Sequence, residues 1–222
     1  MFRDRVDAGR RLAVAVDGLF SECSWDRSDL VVVGLPRGGV PVAAAVADAL
    51  ASPLDVIVVR KIGSFRDPEL GVGAVGEDGV VALDPVAARL LGGSEEQLAE
   101  EVSRRHSLVV ERVAALRARI DPIDLAGRTV LVVDDGLANG HTARAGCRVA
   151  RGRGATRTIL AVPVAPFGWE SDFADEVDAT VALETPRDFG GVGAAYRDFE
   201  PTTDEEVVDL LVRSRRDRAV GT

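Results

Sequence analysis

Lysine is almost absent from this chain: one residue, Lys61, against 26 arginines (27 basic residues in total). A chain that otherwise uses arginine keeps one compact ammonium, and its place after an apolar run points to a role. Cysteine is scarce too. Cys23 and Cys147 are the only two; they have neither metal-ligand spacing nor a disulfide framework, and both read as inert small residues in a reducing compartment. Histidine is scarce as well, with two residues. His106 reads as structural, and His141 as a solvent-facing loop residue whose backbone N–H matters more than its ring. Aromatic residues are only 5% of the chain, and Trp25 and Trp169 read as packing residues. No apolar run approaches the ~20 residues that span a bilayer. The charged start, Met1-Phe-Arg-Asp-Arg-Val-Asp7, has no apolar leader, so no membrane association and a cytoplasmic location are expected. A net charge of −9 argues against a general nucleic-acid binder, which needs a basic face.

What remains is a chain of 222 residues, 46% apolar, enough for one α/β domain with an appendage. Helical spacing of Leu12, Val16 and Leu19 predicts a helix over 7–20. Short apolar runs at 30–34, 54–59, 129–133 and 156–162, with an edge run at 178–183, predict five strands. Helices are expected at 40–50, 142–151 and 204–213. Gly71–Val75 and Val80–Leu83 form a hairpin pattern around Glu77-Asp-Gly79. The longest helix signal is 94–120, N-capped by Ser94, with an apolar stripe of Leu98, Val102, Val109, Val113, Leu116 and Ile120 that skips a turn near Arg105.

Strands alternating with helices predict a doubly wound, mostly parallel five-stranded sheet flanked by helices, with a small hood or lid appendage. The expected organisation is a single domain over 1–222, a flexible loop and hairpin at 62–84, and hood-like insertions at 85–125 and 165–200. In such sheets ligands bind beyond the carboxyl ends of the strands. Three chemistry-bearing loops, at 35–39, 60–70 and 134–142, follow core strands and can converge there.

The most specific of these is Thr129-Val-Leu-Val-Val-Asp-Asp-Gly-Leu-Ala-Asn-Gly-His-Thr142. A buried strand delivers Asp134 and Asp135, which can bind a polyhydroxylated group or a metal. The small-residue turn Ala138-Asn139-Gly140-His141-Thr142 opens a helix, where backbone N–H groups and the helix dipole favour a phosphate. Together they suit a sugar phosphate.

This acid-turn motif resembles the phosphoribosyl pyrophosphate signature of the type I phosphoribosyltransferases. Arg37-Gly38-Gly39 is similar to the family's pyrophosphate loop, which often contains a strained or cis peptide. Arg60-Lys61 is similar to a basic pair that reaches the diphosphate. Leu183–Phe189 and Tyr196-Arg-Asp-Phe199 look like the late base-pocket region of purine-type members. The resemblance spans roughly residues 28–200.

It implies phosphoribosyl pyrophosphate as donor, Mg²⁺ as cofactor, a nucleobase or related nitrogen heterocycle as acceptor, and nucleotide metabolism such as purine salvage as the setting. Asp134 and Asp135 would accept from the ribose hydroxyls and touch the metal mostly through ribose and water. Residues 138–142 would hold the 5-phosphate. Arg37, Gly38, Gly39, Arg60 and Lys61 would hold the diphosphate, with Arg37 and Lys61 counted beside the two acids in the catalytic set. The loop 62–70 is the lid candidate. Helix 94–120 with Trp169, Phe189 and Tyr196 is the candidate hood, Phe189 and Tyr196 being the base-binding candidates.

The chain departs from the family pattern twice. Asn139 stands where threonine is usual, and can still donate to phosphate. Ala138 stands where 6-oxopurine enzymes carry an acid, which disfavours that substrate class. Three other readings stay open: a non-catalytic sensor of the donor or a nucleotide, an acidic-pocket receiver domain, and a metal-dependent phosphohydrolase. The face of helix 94–120 serves a homodimer or an intramolecular contact equally well.

Overall fold

The computed structural model describes residues 1–63, 71–83 and 94–220. In chain order its elements are α1 (Arg5–Glu22), β1 (Leu30–Gly34), α2 (Gly39–Ala49), β2 (Leu54–Val56), β3 (Val59–Gly63), β4 (Gly71–Gly76), β5 (Val81–Leu83), α3 (Glu95–Arg117), β6 (Thr129–Val133), α4 (His141–Gly152), β7 (Arg157–Val164), β8 (Ala179–Glu184) and α5 (Asp204–Val220).

The apolar runs become a five-stranded sheet of order β2-β1-β6-β7-β8, with every neighbouring pair parallel. β1 and β6 are buried along their whole length, as strands covered on both faces should be. Alternate side chains feed two cores. Leu30, Val32, Leu131 and Val133 join α1 and α2 on one face; Val31, Val33, Val130 and Val132 join α4 on the other.

Local signals set the helix starts. Asp4 caps α1 by accepting from the Asp7 N–H. Ser94 and Gln97 form a reciprocal capping box at α3, which satisfies two otherwise orphaned donors.

The apolar run 54–59 does not stay in one strand. β2 ends at Val56, and β3 begins a separate three-stranded antiparallel sheet, β3-β4-β5. The cause is Glu77 in the hairpin turn. Its carboxylate accepts from the Val58 N–H at 2.5 Å, and its own N–H donates to the Val58 carbonyl at 3.0 Å. Glu77 is 2% exposed and is paired by Arg153 at 2.6 Å. A buried, paired carboxylate thus bends the chain out of the main sheet. The expected hairpin is β4–β5. α3 lies on this small sheet, with Leu98 and Val102 packed against Ile62, Val72 and Val75. Most of the loop 62–70, and residues 84–93 at the start of the expected hood, lie outside the described residues.

The winding reverses between β1 and β6, because β2 lies on one side of β1 and β6 on the other. The two strands run in step, Leu30 opposite Thr129 through Gly34 opposite Val133, and the Leu35 N–H continues the ladder to the Val133 carbonyl at 2.9 Å. Loops 35–39 and 134–140 therefore emerge side by side at the switch point, where open parallel sheets bind ligands.

Candidate active site

A cleft of about 480 Å³ opens at that point. It is lined by Pro36, Arg37 and Gly38 from the loop after β1, by Arg60 and Lys61 from β3, and by residues 134–140 and Thr142 after β6. Three loops far apart in sequence thus share one cavity.

The two glycines are required by close approach. A Cβ at Gly39 would lie 2.7 Å from the Val133 carbonyl oxygen and 2.8 Å from the Asp134 Cα; one at Gly38 would lie 1.9 Å from the Asp135 Oδ2. The peptide joining Pro36 to Arg37 is cis.

Asp134 and Asp135 sit at the floor. Asp134 Oδ1 accepts from the Asp135 N–H at 2.9 Å. Burial, and then the neighbouring Asp135 charge, push the Asp134 carboxyl well above the ordinary carboxylate range, with Lys61 pulling the other way. Burial also raises Asp135, opposed by Arg5 and Lys61. Adjacent β-strand residues point to opposite sides. Although consecutive in β3, Arg60 and Lys61 both line the cleft; the Lys61 charge acts on the two acids, and the Arg60 charge acts also on Arg112 of α3.

The turn into α4 is shaped by Gly140, whose φ of +74° is left-handed and favours glycine. A Cβ there would meet the Phe173 ring at 3.0 Å. Trp169 and Phe173 are buried and meet edge to face, so they support the turn from beneath. The Thr142 hydroxyl is buried with no hydrogen-bond partner among the described residues, as is Arg60 Nε. Both belong to cleft-lining residues.

One sequence expectation needs correction. His141 is not solvent-facing: it is 6% exposed and begins α4, because the helix starts tightly against the sheet. Tyr196, expected in the base-binding region, is packed and tethered beside the acid pair. It is buried beside Phe2 at 5.4 Å and stacked with Phe199 at 5.0 Å, and its hydroxyl donates to the Asp135 carbonyl at 2.6 Å. Phe189 packs against the same cluster. Neither lines the cleft; the residue of this region that does is Val192.

The structure also brings in residues that no motif marked. Arg5, from the first turn of α1, places Nε and Nη2 each 2.9 Å from Asp135 Oδ2. It also donates to the Glu200 carbonyl at 2.8 Å and lies over the Phe199 ring at 4.0 Å. Arg105 reaches the cleft from α3.

Fold and cleft together define a doubly wound α/β protein with a cleft lined by carboxylates and cations at its switch point. The chain belongs to the phosphoribosyl transferase domain family, whose profile matches residues 3–171. It is 45% identical over 221 residues to two curated proteins of Mycobacterium tuberculosis, "Putative phosphoribosyl transferase Rv0571c" of strain H37Rv and "Putative phosphoribosyl transferase MT0597" of strain CDC 1551 / Oshkosh. These matches cover 99% of this chain and 48% of each relative, so the chain spans about half the length of the curated relatives it matches. The crystal structure of TT1426 from Thermus thermophilus superposes with a TM-score of 0.78 at 38% identity, covering 96% of this chain and 98% of that one.

Proposed function

We propose that this chain transfers the 5-phosphoribosyl group of phosphoribosyl pyrophosphate to a ring nitrogen of a nucleobase or related heterocycle, releasing pyrophosphate. The observation that carries the proposal is the convergence of three kinds of group on one cleft. A phosphate-type turn, whose Thr142 hydroxyl has no partner among the described residues, a pair of carboxylates and a group of cations line a single cavity.

In this reading the amides of 138–142 and the Thr142 hydroxyl hold the 5-phosphate. Asp134 and Asp135 accept from the ribose hydroxyls. Arg37, the Gly38 and Gly39 amides, Arg60 and Lys61 hold the diphosphate. As the bond to the diphosphate breaks, positive charge develops on the sugar, and the two carboxylates lie on the side where that charge is stabilised. The cations meanwhile take up charge on the leaving group. The chain needs no covalent nucleophile; it positions two reactants and excludes water.

The residues present fit Mg²⁺. The cleft offers two adjacent hard carboxylates, and no cluster of three or more potential His, Cys, Asp or Glu ligands occurs among the described residues. That suits a cation which keeps waters and takes most of its oxygens from substrate. Asp134 and Asp135 would hold it mainly through ribose and water, and the group supplies neutralisation of diphosphate charge.

On the acceptor side, Phe167 is 60% exposed and lines a smaller cavity of about 130 Å³ with Ala138 and Asn139. The Arg187 guanidinium lies over its ring at 4.4 Å. Phe167 thus offers the aromatic face that Tyr196 does not.

The test is pyrophosphate release from phosphoribosyl pyrophosphate and Mg²⁺ across a panel of purine and pyrimidine bases, with Asp134→Asn/Asp135→Asn as control. Release that depends on one base and disappears in the control is expected. Tight donor binding without base-dependent release would replace the transferase with a sensor.

A further inference from the structure

The cleft carries more positive charge than its loop motifs account for, and the excess comes from α3. Arg105 lines the cleft with Arg37, Arg60 and Lys61. Leu98 and Val102 anchor this stretch of helix on the small sheet, and Arg105 follows Val102 on the same face, three residues on.

Its guanidinium is held from behind. Nε donates to Glu101 Oε1 at 2.6 Å, in the favourable order of acid before base along a helix. Glu101 also accepts two bonds from Arg104, both at 2.8 Å. Burial pushes the Glu101 carboxyl up, but the bonds from Arg105 and Arg104 outweigh it and leave the group below its ordinary value. The anchor is therefore charged at neutral pH. No acceptor for the terminal nitrogens of Arg105 is present among the described residues.

Cations gathered in one cleft repel one another, even where each has a carboxylate behind it. The tension is visible on Arg112 of the same helix. Burial lowers its pKa and Asp204 opposes that, but Arg60 and Arg37 lower it further. An anion in the cleft would relieve the group.

Building on the proposed donor, we infer that Arg105 is a diphosphate-binding residue delivered by α3, and that Glu101 is its positioning residue. A guanidinium fixed at Nε presents its two terminal nitrogens as a fork, the geometry that suits phosphate oxygens.

The experiment is calorimetric titration of the full chain with Mg²⁺, using inorganic pyrophosphate and ribose 5-phosphate as separate probes. In Arg105→Gln, pyrophosphate affinity should fall about tenfold to a hundredfold, the range for a lost charge-assisted bond. Ribose 5-phosphate affinity should stay within about twofold, since its phosphate sits at the turn. Arg105→Lys should recover part of the loss, and Glu101→Gln should weaken pyrophosphate alone. A general structural defect would weaken both probes and overturn the inference. Unchanged pyrophosphate affinity in Arg105→Gln, with both probes binding wild type, would overturn this inference and leave the donor reading standing. Wild type that binds neither probe would overturn both.

Discussion

Gly38 is where the pyrophosphate-type loop meets the acid pair, and Gly38→Ala tests that junction. The backbone itself permits alanine, with φ −62° and ψ −32°. The obstacle is space: the new methyl would lie 1.9 Å from Asp135 Oδ2, 2.7 Å from its Cγ and 3.3 Å from Arg5 Nη2. Asp135 cannot retreat as a unit, because its carbonyl is held at 2.6 Å by Tyr196. Its carboxylate must rotate, and that breaks both 2.9 Å contacts with Arg5. The two side chains are 12% and 16% exposed, close to a buried pair. Breaking such a pair costs roughly 3 kcal/mol, at the low end because some exposure remains. Alanine returns about 0.4–1 kcal/mol by restricting the unfolded chain. The expected net loss is about 2–3 kcal/mol, read in urea as a lower midpoint at unchanged slope. The loss from Gly38→Ala with Arg5→Gln should be smaller than the sum of the two, since both remove one interaction. Full additivity, or a Gly38→Ala protein as stable as wild type, would refute the reasoning.

Thr142→Val keeps the side-chain volume and removes a hydroxyl that has no partner among the described residues; ribose 5-phosphate should bind about tenfold to a hundredfold more weakly, and unchanged affinity would remove Thr142 from the phosphate site. Cys147 is fully buried and its thiol is pushed far up by that burial, whereas Cys23 is exposed. A thiol reagent should therefore titrate one cysteine in the native protein and both in denaturant. Glu176 is held below the ordinary glutamate value, first by its bond from Arg148 and against the cost of burial. A depressed folded pKa contributes stability above the unfolded value of about 4.3, lost as pH falls through the folded one. The stability gap between wild type and Glu176→Gln should therefore be larger at pH 7 than in acid; a gap that widens in acid would reverse the assignment.

The main sheet was legible because β1 and β6 are continuous apolar runs ending in loops with chemistry, and a two-sided buried strand leaves little alternative. The run 54–59 misled because its break is made by Glu77, a contact between segments 19 residues apart. Tyr196 stood near the base-pocket pattern, but an aromatic residue reads the same whether its ring is covered or open. What covers it is Phe2 at the far end of the chain. Arg5 was invisible for the same reason, since its partner is 130 residues away. Arg105 did leave a trace. The apolar stripe of the long helix skips a turn there, and the polar side chain in that gap faces the cleft instead of the core.

The charges of the cleft also bear on the competing chemistries. A phosphohydrolase attacks phosphorus and wants its carboxylates beside that atom, to bind metal and orient water. Here the acid pair lies against loop 37–39, where a Cβ at Gly38 would fall 1.9 Å from Asp135 Oδ2, and it shares the cleft with Arg37, Arg60, Lys61 and Arg105. In the proposed reading, carboxylates at the sugar and cations at the diphosphate favour separating a sugar cation from a diphosphate anion, which is cleavage at the sugar carbon. The ties on Asp135 serve that layout. Arg5 neutralises one oxygen from outside the cleft and Tyr196 fixes the backbone, so the acid pair persists at a buried position that opposes its ionisation. Such preorganisation carries its cost in the folded state, before any ligand arrives.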